Sequence, residues 1–275
     1  MEHRARFADL VSRPEAELDF AHAALLIAAE EYPDLDVASY ISRLDALGDA
    51  LSARLGAEPG PDDARDALNG LLYEEEGFHG NTKDYYDPRN SFLNDVLDRR
   101  TGIPITLSAV YIEVAGRAGI PVEGVSLPGH FIVRLRTPEG GMLVDPFHSG
   151  VRLSEEDCQK RLDRIYDGKM KLSPAMLASC GPRSMLARML RNLKVIYVKR
   201  GDLQRAVAAV DLLLAASPDC HDERRDRGLL YAGLDCYAWA VRDLEGYLER
   251  VPQAKDAAAV QAKIADMTRK AARLN

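Results

Sequence analysis

The sequence predicts an α+β domain followed by an all-α module of helical repeats. Three observations carry this. Apolar residues at helical spacing dominate the N-terminal third, three short β-rich runs cluster in the middle, and residues beyond Pro182 match one another at an offset of 34. The boundary is expected at 178/179, so that residues 1–178 form the α+β domain with its helical N-terminal region and residues 179–275 form the repeat module.

From Leu18 to Tyr32 the apolar positions Leu18, Ala21, Leu25, Ala28 and Tyr32 share one helical face, and Pro33 ends the run. A second amphipathic helix follows through Val37, Tyr40, Ile41, Leu44, Leu51 and Leu55, with Asp36 placed to cap its start and Gly56 just past its end. Pro61 opens a third helix through Leu68, Leu71 and Leu72. The texture then changes to a turn-rich aromatic stretch, Gly77-Phe78-His79-Gly80-Asn81 and Tyr85-Tyr86-Asp87-Pro88-Arg89-Asn90. Long loops inside compact domains are uncommon and are often functional. Helical spacing returns at Phe92, Val96 and Leu97. After Thr101-Gly102-Ile103-Pro104 a strongly apolar helix runs to about Ala118, with Pro104 in its first turn and Thr101 or Gly102 near the cap.

The runs Val122–Val125, Phe131–Leu135 and Met142–Val144 are separated by Pro128-Gly129 and Glu139-Gly140-Gly141, which reads as an antiparallel meander. In the last third, Tyr197 and Tyr231, Ala206 and Ala240, Val210 and Leu244, Leu214 and Leu248, and Pro218 and Pro252 are each 34 residues apart. That period, with a small Ala in the second helix and a closing Pro, is the tetratricopeptide spacing. Trp239 is placed either in the core or on a groove, and a final helix is expected from Asp256 to Leu274.

The chain has 275 residues, 36 basic and 43 acidic, interspersed, for a net charge of −7. A phosphate-backbone partner needs a concentrated basic face, so nucleic acid is not expected. The apolar stretch Ala21–Ala29 is short and carries His22, so neither a signal peptide nor a membrane span is read. The four cysteines, Cys158, Cys180, Cys220 and Cys236, form no CxxC pair, and reduced thiols in a cytoplasmic protein are the expectation. There is no GxGxxG after a strand, no GxxxxGK[ST] and no HExxH. Gly124-Val125-Ser126-Leu127-Pro128-Gly129 has one residue too many for a nucleophile elbow.

What remains is a central constellation. His130 begins one strand and Asp145 ends the next, so the carboxylate is placed to fix the imidazole tautomer, either as half of a nucleophile–base–orienter set or as a structural pair. Thr106 and Ser108, in the first turns of the apolar helix, are candidate hydroxyl nucleophiles, although such residues commonly bond back to a preceding carbonyl. His130, Asp145 and His148 offer two imidazoles and a carboxylate, the ligand types of a catalytic metal, without a spacing signature; no metal and no cofactor is expected. His79 reads as a capping or packing residue. Tyr86, Asp87, Arg89 and Asn90 either hold the aromatic loop together or present Arg89 to an anion in a cleft.

Gly102-Ile103-Pro104, Ala115-Gly116-Arg117-Ala118-Gly119-Ile120-Pro121, Gly129-His130 and Val144-Asp145-Pro146 resemble, in that order, the core of the transglutaminase-like superfamily. With the two aromatic-loop segments and Ser91-Phe92-Leu93-Asn94, the likeness is closest to the bacterial SirB-type branch, a transglutaminase-like domain followed by tetratricopeptide repeats. The resemblance covers nearly the whole chain. It implies a papain-related core of helices and a small antiparallel sheet, with His130 at the catalytic histidine and Asp145 at its orienting aspartate. It fails at the nucleophile, because Pro104 stands where the family has cysteine; proline supplies neither a nucleophile nor an N–H. Cys158 is the nearest cysteine after Asp145, and a buried cysteine is commonly a small apolar residue. The resemblance therefore implies a non-catalytic regulatory or protein-interaction protein that engages a protein or peptide through its repeats. The alternative is a hydrolase or acyltransferase acting on amide or peptide bonds through a hydroxyl or a metal.

Overall fold

The computed structural model describes residues 2–56, 59–137 and 141–274. In chain order the elements are α1 (Glu2–Ser12), α2 (Phe20–Ala28), α3 (Val37–Ser52), α4 (Pro61–Asn69), β1 (His79–Gly80), α5 (Leu93–Arg99), β2 (Thr101–Gly102), α6 (Pro104–Arg117), β3 (Val122–Val125), β4 (Ile132–Leu135), β5 (Met142–Asp145), β6 (Val151–Leu153), α7 (Glu155–Tyr166), β7 (Ser179–Cys180), α8 (Pro182–Arg200), α9 (Leu203–Ala216), α10 (His221–Gly233), α11 (Tyr237–Arg250) and α12 (Ala257–Leu274). Contacts divide them into two compact units, Glu15–Met185 and a second that joins the residues up to Pro14 to those from Leu186 onward. The cut thus falls seven residues beyond the expected 178/179, inside α8, and α1 packs on α9 in the C-terminal unit. Phe7 and Val11 of α1 are buried, which is the apolar contact that places it there.

In the unit from Glu15 to Met185, local chemistry sets several helix starts. Asp19 accepts from the His22 amide at 3.0 Å to cap α2, Asp36 accepts from Ser39 at 3.2 Å to cap α3, and Pro61 takes the first position of α4. The Asp36 and Pro61 expectations are borne out. The start of α6 differs from its expectation. Its cap is Ile103, whose amide donates to Thr106 Oγ1 at 3.1 Å, while Thr101 and Gly102 form the short strand β2, paired in parallel with β1. A Cβ on Gly102 would come within 2.8 Å of Thr106 Oγ1, so this close approach requires glycine.

The main sheet has the order β6-β5-β4-β3-β7, antiparallel throughout, and so extends the expected meander by an edge strand at each side. The turn residues Glu139 and Gly140 lie outside the described residues. β4 is covered on both faces, which explains its near-continuous apolar run in place of alternation. On one face Val125, Leu127, Ile132 and Leu143 pack against Cys158 and Leu162 of α7. α6, buried along most of its length, packs on α3, α5, β3 and β4.

The second unit carries the repeat. Ala206 and Ala240, one period apart, are both fully buried, as are Val210 and Leu244. A Cβ on Gly228 would meet Leu244 Cγ at 2.8 Å, so α10 and α11 approach as closely as glycine allows. Trp239 is 54% exposed, with Arg242 5.1 Å from its ring, which places it on the surface. Beneath it, the buried Asp243 accepts twice from Arg227, which also donates to Asp211 at 2.7 Å and so ties α9, α10 and α11 together.

Candidate functional site

Strand register assembles the site. Val133 pairs with Val144, so Asp145 falls opposite Ile132, and His130 lies on the same side of the pleat two residues earlier. Ile132 belongs to the face covered by α7, and α7 supplies the third member of the cluster, Arg161. A turn with Gly129 at φ +73° and the His130 amide bonded to Leu127 O at 3.0 Å sets the imidazole at the strand's start. Asp145 ends β5 and caps a short 3₁₀ turn over Pro146–His148, accepting from the Phe147 amide at 3.1 Å. The chain then reverses through two left-handed residues, Ser149 (φ 53°) and Gly150 (φ 69°).

Asp145 has no exposed surface, and its carboxylate is saturated. Both oxygens lie 3.0 Å from His130 Nε2, His148 Nδ1 is 2.8 Å from Oδ2, and Arg161 Nη2 is 2.7 Å from Oδ2. Burial by itself would raise this carboxyl; the hydrogen bond and charge of His130 and the charges of Arg161 and His148 override it and hold it at about 2. The imidazole of His130 is pushed below its ordinary 6.5 chiefly by burial, against the pull of Asp145 and with the help of Arg161 and His148.

Nε2 of His130 also lies 2.8 Å from Arg161 Nη1. It carries a proton when it donates to Asp145 and a lone pair when it accepts from Arg161, so the two contacts belong to different tautomers. Only the first leaves a lone pair on Nδ1, the nitrogen that makes no hydrogen bond among the described residues. An aromatic chain borders the pair: Phe147 stands edge-on to His130 at 6.1 Å, and Tyr85 edge-on to Phe147 at 6.4 Å.

No hydroxyl or thiol is hydrogen-bonded to His130 among the described residues. Thr106 Oγ1 accepts from the Ile103 amide and donates to Asn90 O at 2.7 Å, with no exposed surface. Ser108 is fully buried, its Oγ without a partner among the described residues. Cys158 lies in the apolar cluster under α7, where burial raises its thiol above the ordinary 9.0 and disfavours a thiolate. The ligand atoms of His130, Asp145 and His148 lie within 4.8 Å of one another, the span of a metal site. The Arg161 guanidinium, in contact with two of the three, already supplies the cation there, so these residues fit an ion-pair cluster better than a dication.

The aromatic loop divides. Asp87 is buried and accepts from the Arg89 amide and from Arg89 Nε, and Asn90, with no exposed surface, donates to Asp84 O at 2.8 Å, so both hold the loop. Tyr86 is 52% exposed, and the Arg89 side chain is mostly exposed on Asp87. His79 Nδ1 donates to Gly77 O at 3.0 Å and its Nε2 lies 3.2 Å from Thr101 Oγ1, and so the ring braces the short β1–β2 pair. Arg161 and Phe147 were not legible as site residues, because no motif marks them; only the helix–sheet packing brings α7 over the β4–β5 ends.

This fold and site define a transglutaminase-like domain joined to tetratricopeptide repeats. Residues 38–191 match the transglutaminase-like superfamily and residues 193–265 the tetratricopeptide repeat. The chain belongs to the UPF0162 family, in agreement with the SirB-type resemblance. It is 36% identical over 263 residues to a UPF0162 protein of Xylella fastidiosa, covering 94% of each chain, and 34% identical over 225 residues to one of Pseudomonas aeruginosa, covering 81% of each. It is also 33% identical over 165 residues to human F-box only protein 21, covering 56% of this chain and 25% of the human one. Among the described residues no helix is long and apolar enough to cross a membrane.

Proposed function

We propose that this chain is a non-catalytic protein-interaction protein of regulatory type, with Pro104 at the nucleophile position of its transglutaminase-like domain and a protein or peptide partner held by its repeats. The observation that carries this reading is that, among the described residues, the His130 side chain meets only Asp145 and Arg161 at hydrogen-bond distance, while the hydroxyls of Thr106 and Ser108 are enclosed elsewhere. A base without a nucleophile within reach supports no acyl transfer. Pro104 itself begins α6 fully enclosed, as a helix-starting residue. In the repeat unit Val195 and Leu229, one 34-residue period apart, are 43% and 41% exposed, a repeated apolar position suited to an extended or helical peptide. His130 and Asp145 then serve as a structural pair, and Tyr86, Asp87, Arg89 and Asn90 as a shaped loop beside it, with Tyr86 and Arg89 its accessible members. We place the protein in the cytoplasm, with its thiols reduced.

Two assays on the full chain test this. Incorporation of a fluorescent amine into dimethylcasein, and hydrolysis of a mixed peptide library, should show nothing above the His130→Ala background. Turnover lost on His130→Ala would establish the amide hydrolase or acyltransferase instead. Photo-crosslinking from position 195 in cells should give a partner adduct that persists in His130→Ala and disappears in Leu229→Asp; loss of the adduct in a folded His130→Ala chain would overturn the scaffold reading.

A further inference from the structure

Beside the His130–Asp145 pair, and separate from the question of its catalysis, the edge strand β6 and α7 border a solvent-open cavity of about 290 Å³ lined by Arg152, Lys160, Arg161, Arg164 and Asp157. We propose that this cavity is a binding site for a dianionic phosphate group, carried by a small phosphorylated molecule or a phosphorylated peptide.

The argument is one of charge and partners. Counting only the carboxylates fixed in place, Asp157 in the wall and the buried Asp145 behind Arg161, the four lining cations leave a formal excess of two positive charges; Glu156 and Asp62, the exposed partners of Lys160 and Arg152, are exchangeable. A dianion matches that excess, whereas a single carboxylate leaves half of it unmet. Asp157 is already engaged: its carboxylate accepts from the Ser154 amide at 3.0 Å and from Ser154 Oγ at 2.7 Å, in the capping box of α7, and these bonds hold it ionised. Three of the four cations, by contrast, are loosely held. Lys160 meets Glu156 in an exposed i,i+4 pair, Arg152 lies 3.9 Å from an exposed Asp62, and Arg164 has no ion pair among the described residues. Exposed pairs of this kind contribute little and are readily exchanged for a better acceptor. Arg161 is fixed from behind by Asp145, so at least one guanidinium stands pre-oriented. The volume exceeds that of a phosphate alone and leaves room for the group that bears it.

The test is a titration of the full chain with inorganic phosphate at pH 7.5 and constant ionic strength, followed by the Nε–Hε NMR signals of Arg161 and Arg164. Saturable shifts are expected with phosphate and none with acetate. Affinity should fall by about tenfold or more for each cation removed in Arg152→Ala and Arg164→Ala, since a charge-assisted hydrogen bond contributes about 1.5–3 kcal/mol. Both side chains lie at the surface, so the variants should keep the parent's melting temperature. Shifts that fail to saturate, that acetate reproduces, or that persist in the double variant would overturn the assignment. A phosphoserine peptide that binds more tightly than inorganic phosphate identifies a peptide source; equal affinity identifies a small-molecule phosphate.

Discussion

Asp145→Asn removes one charge from the centre of the buried cluster while keeping its shape. Holding the carboxyl at about 2 against an ordinary 3.8 corresponds to about 2 kcal/mol of stability, at about 1.4 kcal/mol per pH unit. Breaking a fully buried pair costs about 3–5 kcal/mol when the orphaned charge cannot relax. Here the Arg161 side chain is one-fifth exposed and that of His148 half exposed, so both can turn to water, and the loss should stay near 2–3 kcal/mol. For a unit of this size that is a drop of about 4–12 °C in melting temperature. The only tryptophan is Trp239 in the other unit, so its fluorescence would miss the event. Urea unfolding read by hydrogen exchange of peptides covering β4 and β5 reports it directly. The sign with pH is fixed. A carboxyl depressed in the folded state stabilises above its unfolded value, and that contribution is lost as pH falls from about 4 to about 2, so parent and variant should converge over that window. A gap below about 0.5 kcal/mol at pH 7, the scatter of ordinary surface substitutions, or a gap unchanged down to pH 2, would refute the reasoning.

Three further outcomes follow from the same geometry. His130, lowered chiefly by burial, should titrate below 6.5 in ¹⁵N-resolved NMR; because its folded value lies below its unfolded one, its contribution to stability is present above pH 6.5 and lost as pH falls beneath it, and a midpoint at or above 6.5 would contradict this. Gly150→Ala must adopt φ 69° and bring a Cβ to 1.8 Å from Asn69 Oδ1, so a loss of at least about 1–3 kcal/mol, measured by the same exchange assay, is expected. Arg227→Ala strands the buried Asp243 and should destabilise the repeat unit by about 3–5 kcal/mol, visible as an earlier Trp239 fluorescence transition; an unchanged midpoint would show that Asp243 relaxes without cost.

Much of the architecture was legible in the residues because it rests on local chemistry. Asp36 and Pro61 mark helix starts by their own side chains, and the 34-residue pairing of Ala206 with Ala240 reports helix contact without reference to anything distant. What was not legible depends on tertiary placement. α1 carries a weak apolar stripe, and only its contact with α9 assigns it to the C-terminal unit. Thr101 and Gly102, read as cap residues, pair with His79 and Gly80, a partnership 22 residues away in sequence. The His130–Asp145 pair was visible as two strand termini, but Arg161 sits in a charged amphipathic helix where one arginine looks like any other. Its role follows from α7 lying across the sheet.

The Asp145 cluster also bears on why a histidine–aspartate pair can stand with no hydroxyl or thiol hydrogen-bonded to it among the described residues. Each of its members is held by the others: Asp145 accepts from two imidazoles and a guanidinium, and His130 is set between Asp145 and Arg161. Replacing His130 or Arg161 leaves the buried Asp145 carboxylate short of a partner, at a cost of about 1–5 kcal/mol, against a total stability of about 5–15 kcal/mol for a domain. Escape to an apolar core requires simultaneous changes at the two buried members, Asp145 and His130, since Arg161 and His148 can turn to water. Folding alone is therefore sufficient to keep the pair in place, and its presence carries no implication of turnover. On the proposed equivalence of Pro104 with the family's cysteine, a thiol there would cost α6 its helix-starting proline. Under the non-catalytic proposal, Pro104 at the start of α6 serves the stability of the fold, while Arg152, Lys160 and Arg164 along β6 and α7 face solvent.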